Sequence, residues 1–180
     1  MARETLCNRQ TDCAQCPKAT EGILVHRTFP KGQHFPADKC THNCILFMLQ
    51  GELLIDSEEY PGTTLREGQF ILQSIGSKLE LLALTDVSYV VYWFNEPPLI
   101  CEQHYQEILQ QSESPLTYTP LVMTQRITNF MKDICDYLSE QIPCGAFIDL
   151  KCQELMYLIT CYYPSPQLSR FFYPISSYTE

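Results

Sequence analysis

Charged side chains are scarce in this sequence. Asp, Glu, Lys and Arg make up 18% of it, against about 25% in an average soluble domain. A chain so poor in charge leaves apolar surface that something has to cover, which points to self-association. Basic residues are the scarcest: 12 Lys and Arg stand against 21 Asp and Glu, a net charge of -9. That balance repels a phosphate backbone, so nucleic-acid binding by this chain alone is not expected. Long apolar runs are missing too. None reaches the ~18 residues of a membrane-spanning helix, so no membrane association is expected. The start, Met1-Ala2-Arg3-Glu4-Thr5, leads into polar residues rather than an apolar leader core, so a cytoplasmic location is expected. There is no internal repeat, no Gly-x-Ser-x-Gly elbow and no Gly-x-x-x-x-Gly-Lys loop, and so no pattern that supports nucleophilic or nucleotide chemistry.

What is present is enough for one core. The chain has 180 residues, 45% of them apolar, which suits a single domain or a domain with a helical appendage. Residues 1–20 show no periodicity and read as an arm. From Gly22 to Phe94 short β-rich runs recur, punctuated by Pro30, Gly32, Gly51, Pro61-Gly62, Gly68 and Gly76. Strands at this spacing predict a sandwich or barrel rather than alternating β and α units. Asn95-Glu96-Pro97-Pro98 ends that pattern.

The remainder reads as helical. Residues 99–111 are able to form a helix, and 121–141 hold the clearest one. There Ile127, Phe130, Met131, Ile134 and Leu138 recur at three and four, one apolar stripe. A second long helix is predicted over 147–163. Its later half is apolar nearly all round, so it needs cover on two sides. The sheet covers one side. A second subunit meeting Tyr157, Leu158 and Tyr162 would cover the other, predicting a homodimer. Two such helices joined by Pro143-Cys144-Gly145 would pack as an antiparallel pair.

The chemistry-bearing residues cluster before a strand: His34, Cys40, His42 and Cys44. Alternate residues of a strand share a side, so Cys40, His42 and Cys44 are able to face one point, as metal ligands must. The plainer alternative is a strand entry with two packed thiols and a surface imidazole. Cys13 and Cys16 form one Cys-x2-Cys pair, half of a zinc signal. Its other half would be Cys40 and Cys44. Against that stands an arm with free thiols. Several of the ten cysteines, Cys135, Cys152 and Cys161 among them, fall in apolar helical patterns and read as packed thiols.

Three stretches carry a resemblance. Residues 40–53 run Cys-Thr-His-Asn-Cys, then an aliphatic run, then Gln50-Gly51-Glu52-Leu53. Residues 65–76 run Leu-Arg-Glu-Gly-Gln, an aliphatic strand, then Ser74-Ile75-Gly76. The third is Leu168-Ser169-Arg170-Phe171-Phe172-Tyr173-Pro174-Ile175. In this order, residues 22–176 resemble the N-terminal sensor domain of AraC-type transcription regulators, the Bacteroidetes variety in particular. The resemblance implies an α+β chain: a cupin-like antiparallel β-barrel of jelly-roll type over 21–96, then a helical dimerisation region over 97–164. Residues 165–180 would be the linker to helix-turn-helix DNA-binding domains, none of whose positions occur here.

Cupins often hold a metal, and the match to their ligands is incomplete. Cys40 and His42 stand at the two histidine positions of the first motif, and its glutamate is missing. Gly76 matches in the second motif, but no histidine stands near Lys78. The expectation is therefore no cofactor, no metal and no catalysis, with a small effector held in the barrel by His34, His42, Phe47 and Trp93. A metal-dependent cupin enzyme and a zinc-stabilised module are the alternatives.

Overall fold

The computed structural model describes residues 23–95, 106–107, 118–140 and 144–176. Nine strands are described: β1 (Ile23–Phe29), β2 (His34–Lys39), β3 (Asn43–Gln50), β4 (Glu52–Ser57), β5 (Thr63–Arg66), β6 (Gln69–Gln73), β7 (Lys78–Ala83), β8 (Val87–Phe94) and β9 (Leu121–Val122). They form two antiparallel sheets, in the orders β1-β8-β3-β6-β9 and β2-β7-β4-β5. The first eight strands thus divide between the two sheets in the order of a jelly roll, a fold that cupin-like domains share with others. Of the expected jelly-roll barrel, the antiparallel jelly-roll strand order is present, as two sheets, neither of which closes on itself among the described residues. The chain is α+β, as expected.

The strand patterns explain the layering. β3 (NCILFMLQ) and β8 (VSYVVYWF) are apolar along almost their whole length, as strands covered on both faces must be. Their even and odd positions go to different cores. Cys44, Leu46 and Met48 with Tyr89 and Val91 face the second sheet, and meet Leu53, Ile55, Leu65 and Leu81 there. Ile45 and Phe47 with Val90, Tyr92 and Phe94 face the helices instead. β4 (ELLIDS) alternates between buried and less buried residues, since its outer face lacks such a cover among the described residues.

Gly51 turns the chain from one sheet to the other at φ +85. A Cβ there would stand 2.6 Å from Thr85 Oγ1 and run into the Asp86 carbonyl oxygen. Both the positive φ and the close approach require glycine.

Three helices are described: α1 (Gln125–Ser139), α2 (Gly145–Tyr162) and α3 (Ser165–Ser176). Thr124 caps α1, its hydroxyl accepting from the Ile127 amide at 3.3 Å. The helix therefore starts later than the predicted 121, and Leu121–Val122 pair with β6 as a short strand. Of its predicted stripe, Ile127, Phe130, Met131 and Ile134 are buried and Leu138 is partly buried. Ile148, Cys152, Leu155, Met156 and Ile159 of α2 join the same core. Tyr137 and Phe147 meet edge to face at 5.0 Å, and Lys151 Nζ lies 5.5 Å from the Phe130 ring centre.

Residues 165–176 are the larger departure. The expected linker is a helix whose Leu168, Phe171, Phe172 and Ile175 are buried. These four recur at three, four and seven, a helical face that Pro166 and Pro174 disguise. Phe171 meets Phe70 of β6 at 5.2 Å, and Tyr163 meets the same ring at 5.6 Å. A third helix, α3, thus docks on the sheet where only two long helices were expected. The predicted arm and the helix over 99–111 fall outside the described residues except at 106–107, which are helical.

Candidate functional site

The site begins with an irregular edge. β2 borders the four-stranded sheet, and its register with β7 shifts between Phe35 and Asp38. Pro36 lies inside that shift, where an edge strand tolerates the loss of an amide donor. The displaced strand opens a cleft of about 470 Å³ between β2, β7 and β8. Phe35, Leu79, Leu81 and Tyr89 give it apolar walls, Asp38 and Lys39 are charges on its border, and Cys40 brings a thiol. Phe29 backs the aromatic wall, at 4.6 Å from Phe35 and 5.9 Å from Tyr89. Mostly apolar walls with a few polar groups are the usual make-up of a small-molecule site. Burial pushes the Tyr89 phenol up to about 12, despite the nearby charge of Arg27. The ring therefore stays neutral at physiological pH.

Behind the Cys40 end lies a buried polar cluster. Gln73 Nε2 donates to Ser57 Oγ at 2.9 Å, and Ser77 Oγ donates to the Ser74 carbonyl at 2.9 Å. Ser74 donates through both its hydroxyl and its amide to Glu59 Oε1. Glu59 is buried, and its Oε2 has no hydrogen-bond partner among the described residues. Asn43 fixes the adjoining turn, donating to the Asn95 carbonyl at 3.0 Å and accepting from the Ile75 amide at 2.8 Å.

Cys40 and Cys44 link the cluster to the cleft. The polar influence of Cys44 is the main reason the Cys40 thiol is lowered to about 7. Ser77 adds to the effect, while desolvation and the charges of Glu59 and Asp38 oppose it. Cys44 is pushed the other way, first by Cys40, then by its burial and by the charges of Cys40 and Glu59.

The expected ligand residues are not brought together. His34 is exposed and bonds Glu80 Oε1 at 2.7 Å. His42 is exposed in the turn before β3, its Nδ1 2.9 Å from Thr41 Oγ1. Phe47 is fully buried on the helix side, stacked on Phe70 at 5.0 Å, so it is a core residue rather than a lining one. Trp93 is half-buried on the inter-sheet side, in register with Cys44. Cys40, Phe35, Tyr89, Leu79 and Leu81 were not foreseen as lining. The signal for Tyr89 was the alternation Val87, Tyr89, Val91, Trp93, which puts these four on one face.

Cys13 and Cys16 lie outside the described residues. Among those described, no three His, Cys, Asp or Glu side chains converge as metal ligands would. Of the expected dimer residues, Tyr157 and Tyr162 are 53% and 48% exposed, whereas Leu158 packs against the helix-side core. Leu150, two turns before Tyr157, is also exposed. No described helix is long and apolar enough to cross a membrane.

No protein-family profile matches the chain, and no curated protein matches it. Solved structures do. A cupin family protein with a double-stranded β-helix fold from Methanocaldococcus jannaschii is 14% identical, with a TM-score of 0.40 over 54% of this chain and 95% of that one. A cupin superfamily protein from Desulfitobacterium hafniense is 10% identical, with a TM-score of 0.40 over 44% and 72%. A predicted oxalate decarboxylase from Thermotoga maritima is 14% identical, with a TM-score of 0.39 over 42% and 69%. The strand order itself assigns the fold as a jelly roll.

Proposed function

We propose that this chain is the ligand-sensing and dimer-forming module of a transcription regulator of the AraC type. Its cleft takes a small effector, apolar or aromatic in character. One observation carries the reading: the open, aromatic-walled cleft at the displaced edge of the jelly roll. The effector site is thereby moved from the inter-sheet space, which side chains fill, to the edge beside β2.

The helices supply the second half of the proposal. α1, α2 and α3 cover one face of the five-stranded sheet, and α2 keeps Leu150 and Tyr157 exposed at a helical spacing of seven. A second copy seated on that face makes the dimer. Effector binding at the cleft would shift β8, which has Tyr89 on its cleft side and Val90 and Tyr92 against the helical layer. DNA would be reached through attached helix-turn-helix domains, in the cytoplasm, with no membrane involved.

Thermal-shift screening of the full chain against small aromatic and aliphatic compounds tests the binding half. A hit that raises the melting temperature in the parent, and fails to do so in Leu81→Glu, supports it. Hits unaffected by that change contradict it.

A further inference from the structure

We infer that a second cleft, walled by Asp86, Gln50, Thr28 and Ser88, binds a small protonated amine through its ammonium group. It shares no lining residue with the Tyr89 cleft and does not depend on that cleft taking an effector.

The cleft, of about 370 Å³, lies at the end of the five-stranded sheet, where β1 and β3 finish and β8 begins. A break in register builds it. Met48 pairs with Tyr89, so an unbroken ladder would set Leu49 opposite Ser88. The register shifts after Met48, and Gln50 takes that place instead. Thr28 stands opposite Ser88 on the other flank. Three strands thus bring Thr28, Ser88 and Gln50 into one row, and all three line the cleft. An irregularity that re-aims a side chain in this way is common beside functional sites.

Asp86 adds the charge. It is the only charged side chain lining this cleft among the described residues. Its backbone is fixed, the carbonyl accepting from Thr85 Oγ1 at 3.1 Å, and Thr85 Oγ1 in turn accepts from the Glu52 amide at 2.9 Å. Its carboxylate is fixed as well. Oδ1 accepts from the Lys31 amide at 2.8 Å, while Oδ2 has no hydrogen-bond partner among the described residues. Ser88 Oγ is held by His26 Nε2 at 2.8 Å. Whichever of these two donates, the hydroxyl oxygen keeps a lone pair for a ligand.

The lining therefore offers a free carboxylate oxygen, an amide oxygen and two hydroxyl oxygens. An alkylammonium group has three N–H donors and one positive charge, and it matches that set. Asp86 Oδ2 takes a charge-assisted hydrogen bond, and the neutral oxygens take the others. Phe29 and Pro30 give a short apolar wall for the carbon chain of the amine. An anion would meet Asp86 with no lining cation to offset it. The net charge of -9 draws cations towards the whole surface, so the test has to separate this site from loose association.

The full chain is titrated with n-butylamine and followed by its backbone amide NMR signals. Physiological salt screens loose contacts with other surface acids. The amides of Thr28, Lys31, Asp86 and Ser88 should shift together and saturate, and butyrate, with the same carbon chain, should leave them unmoved. Asp86→Asn keeps an oxygen for the Lys31 amide and should weaken binding about tenfold or more. Asp56→Asn removes another exposed carboxylate that accepts one backbone amide, that of Gly62 at 2.9 Å, and should change nothing. Melting temperatures equal to the parent's show that the variants fold. Should Asp86→Asn fail to fold, Gln50→Ala, at an exposed position, decides by a several-fold loss of affinity. The inference is overturned if butylamine moves these amides no more than those around Asp56. It is overturned equally if butyrate binds as well as butylamine, or if the folded variant at Asp86, or failing that at Gln50, binds as tightly as the parent.

Discussion

Cys40 shows how its surroundings change a side chain's chemistry. A free thiol titrates near ~8.5, yet Cys44, first among its neighbours, brings this one down to about 7. Its rate of alkylation by iodoacetamide should therefore rise between pH 6 and 8, with a midpoint close to 7. Cys44→Ala should move that midpoint upward. The same pair predicts how stability depends on pH. Cys40 has a lowered value in the folded chain, so between about 7 and 9 the unfolded chain binds more protons and stability rises with pH. Cys44 is raised, so the stability linked to it is present below about 9 and is lost as pH climbs further. Tyr89 and Tyr163, each pushed up to about 12 by burial, add to the loss between about 10 and 12. Chemical denaturation of the parent across this range should show the rise and then the fall, and Cys40→Ser should remove the rise. At Gly51, alanine meets the Asp86 carbonyl at a positive φ, so Gly51→Ala should cost on the order of 2 kcal/mol or more. Unchanged denaturation midpoints would rule that out.

Elements differ in how openly their sequences announce them. β3 and β8 were legible because strands buried on both faces read as unbroken apolar runs. The α1 stripe was legible because Ile127, Phe130, Met131 and Ile134 keep a strict helical period. β9 was not, since two residues carry no period, and only Thr124 as a cap separates them from the helix. α3 was hidden by its prolines, although Leu168, Phe171, Phe172 and Ile175 repeat as a helix face should. Ile134→Asp should unfold the chain, because the charge would enter a site with 1% exposure. Phe171→Ala should cost about 3 kcal/mol or more through the cavity left against Phe70. A Phe171→Ala chain as stable as the parent would mean that α3 does not dock on β6.

At the scale of the whole molecule, the α+β order and the two-sheet core follow from composition and turn spacing. The site does not, because it depends on register. A slip of one residue exchanges the faces of a strand, and that exchange separates Phe47 in the helix-side core from Cys44 and Met48 in the inter-sheet core. The cleft depends further on a register shift beside Pro36, visible only once β2 is paired with β7. The scarcity of charge finds a counterpart in the exposed Leu150 and Tyr157 on α2. Light scattering should give a dimer for the parent and a monomer for Leu150→Glu/Tyr157→Glu. A doubly substituted chain that stays dimeric would place the interface elsewhere.

The proposal that the displaced jelly-roll edge is a small-molecule site is tested most directly by methyl NMR of the full chain, titrated with a library of small aromatic and aliphatic fragments. The account predicts that shifts concentrate on Leu79, Leu81 and Ala37, the methyl-bearing residues of the cleft. Fragments that shift Val122 or Leu150 while leaving these three unmoved would contradict it.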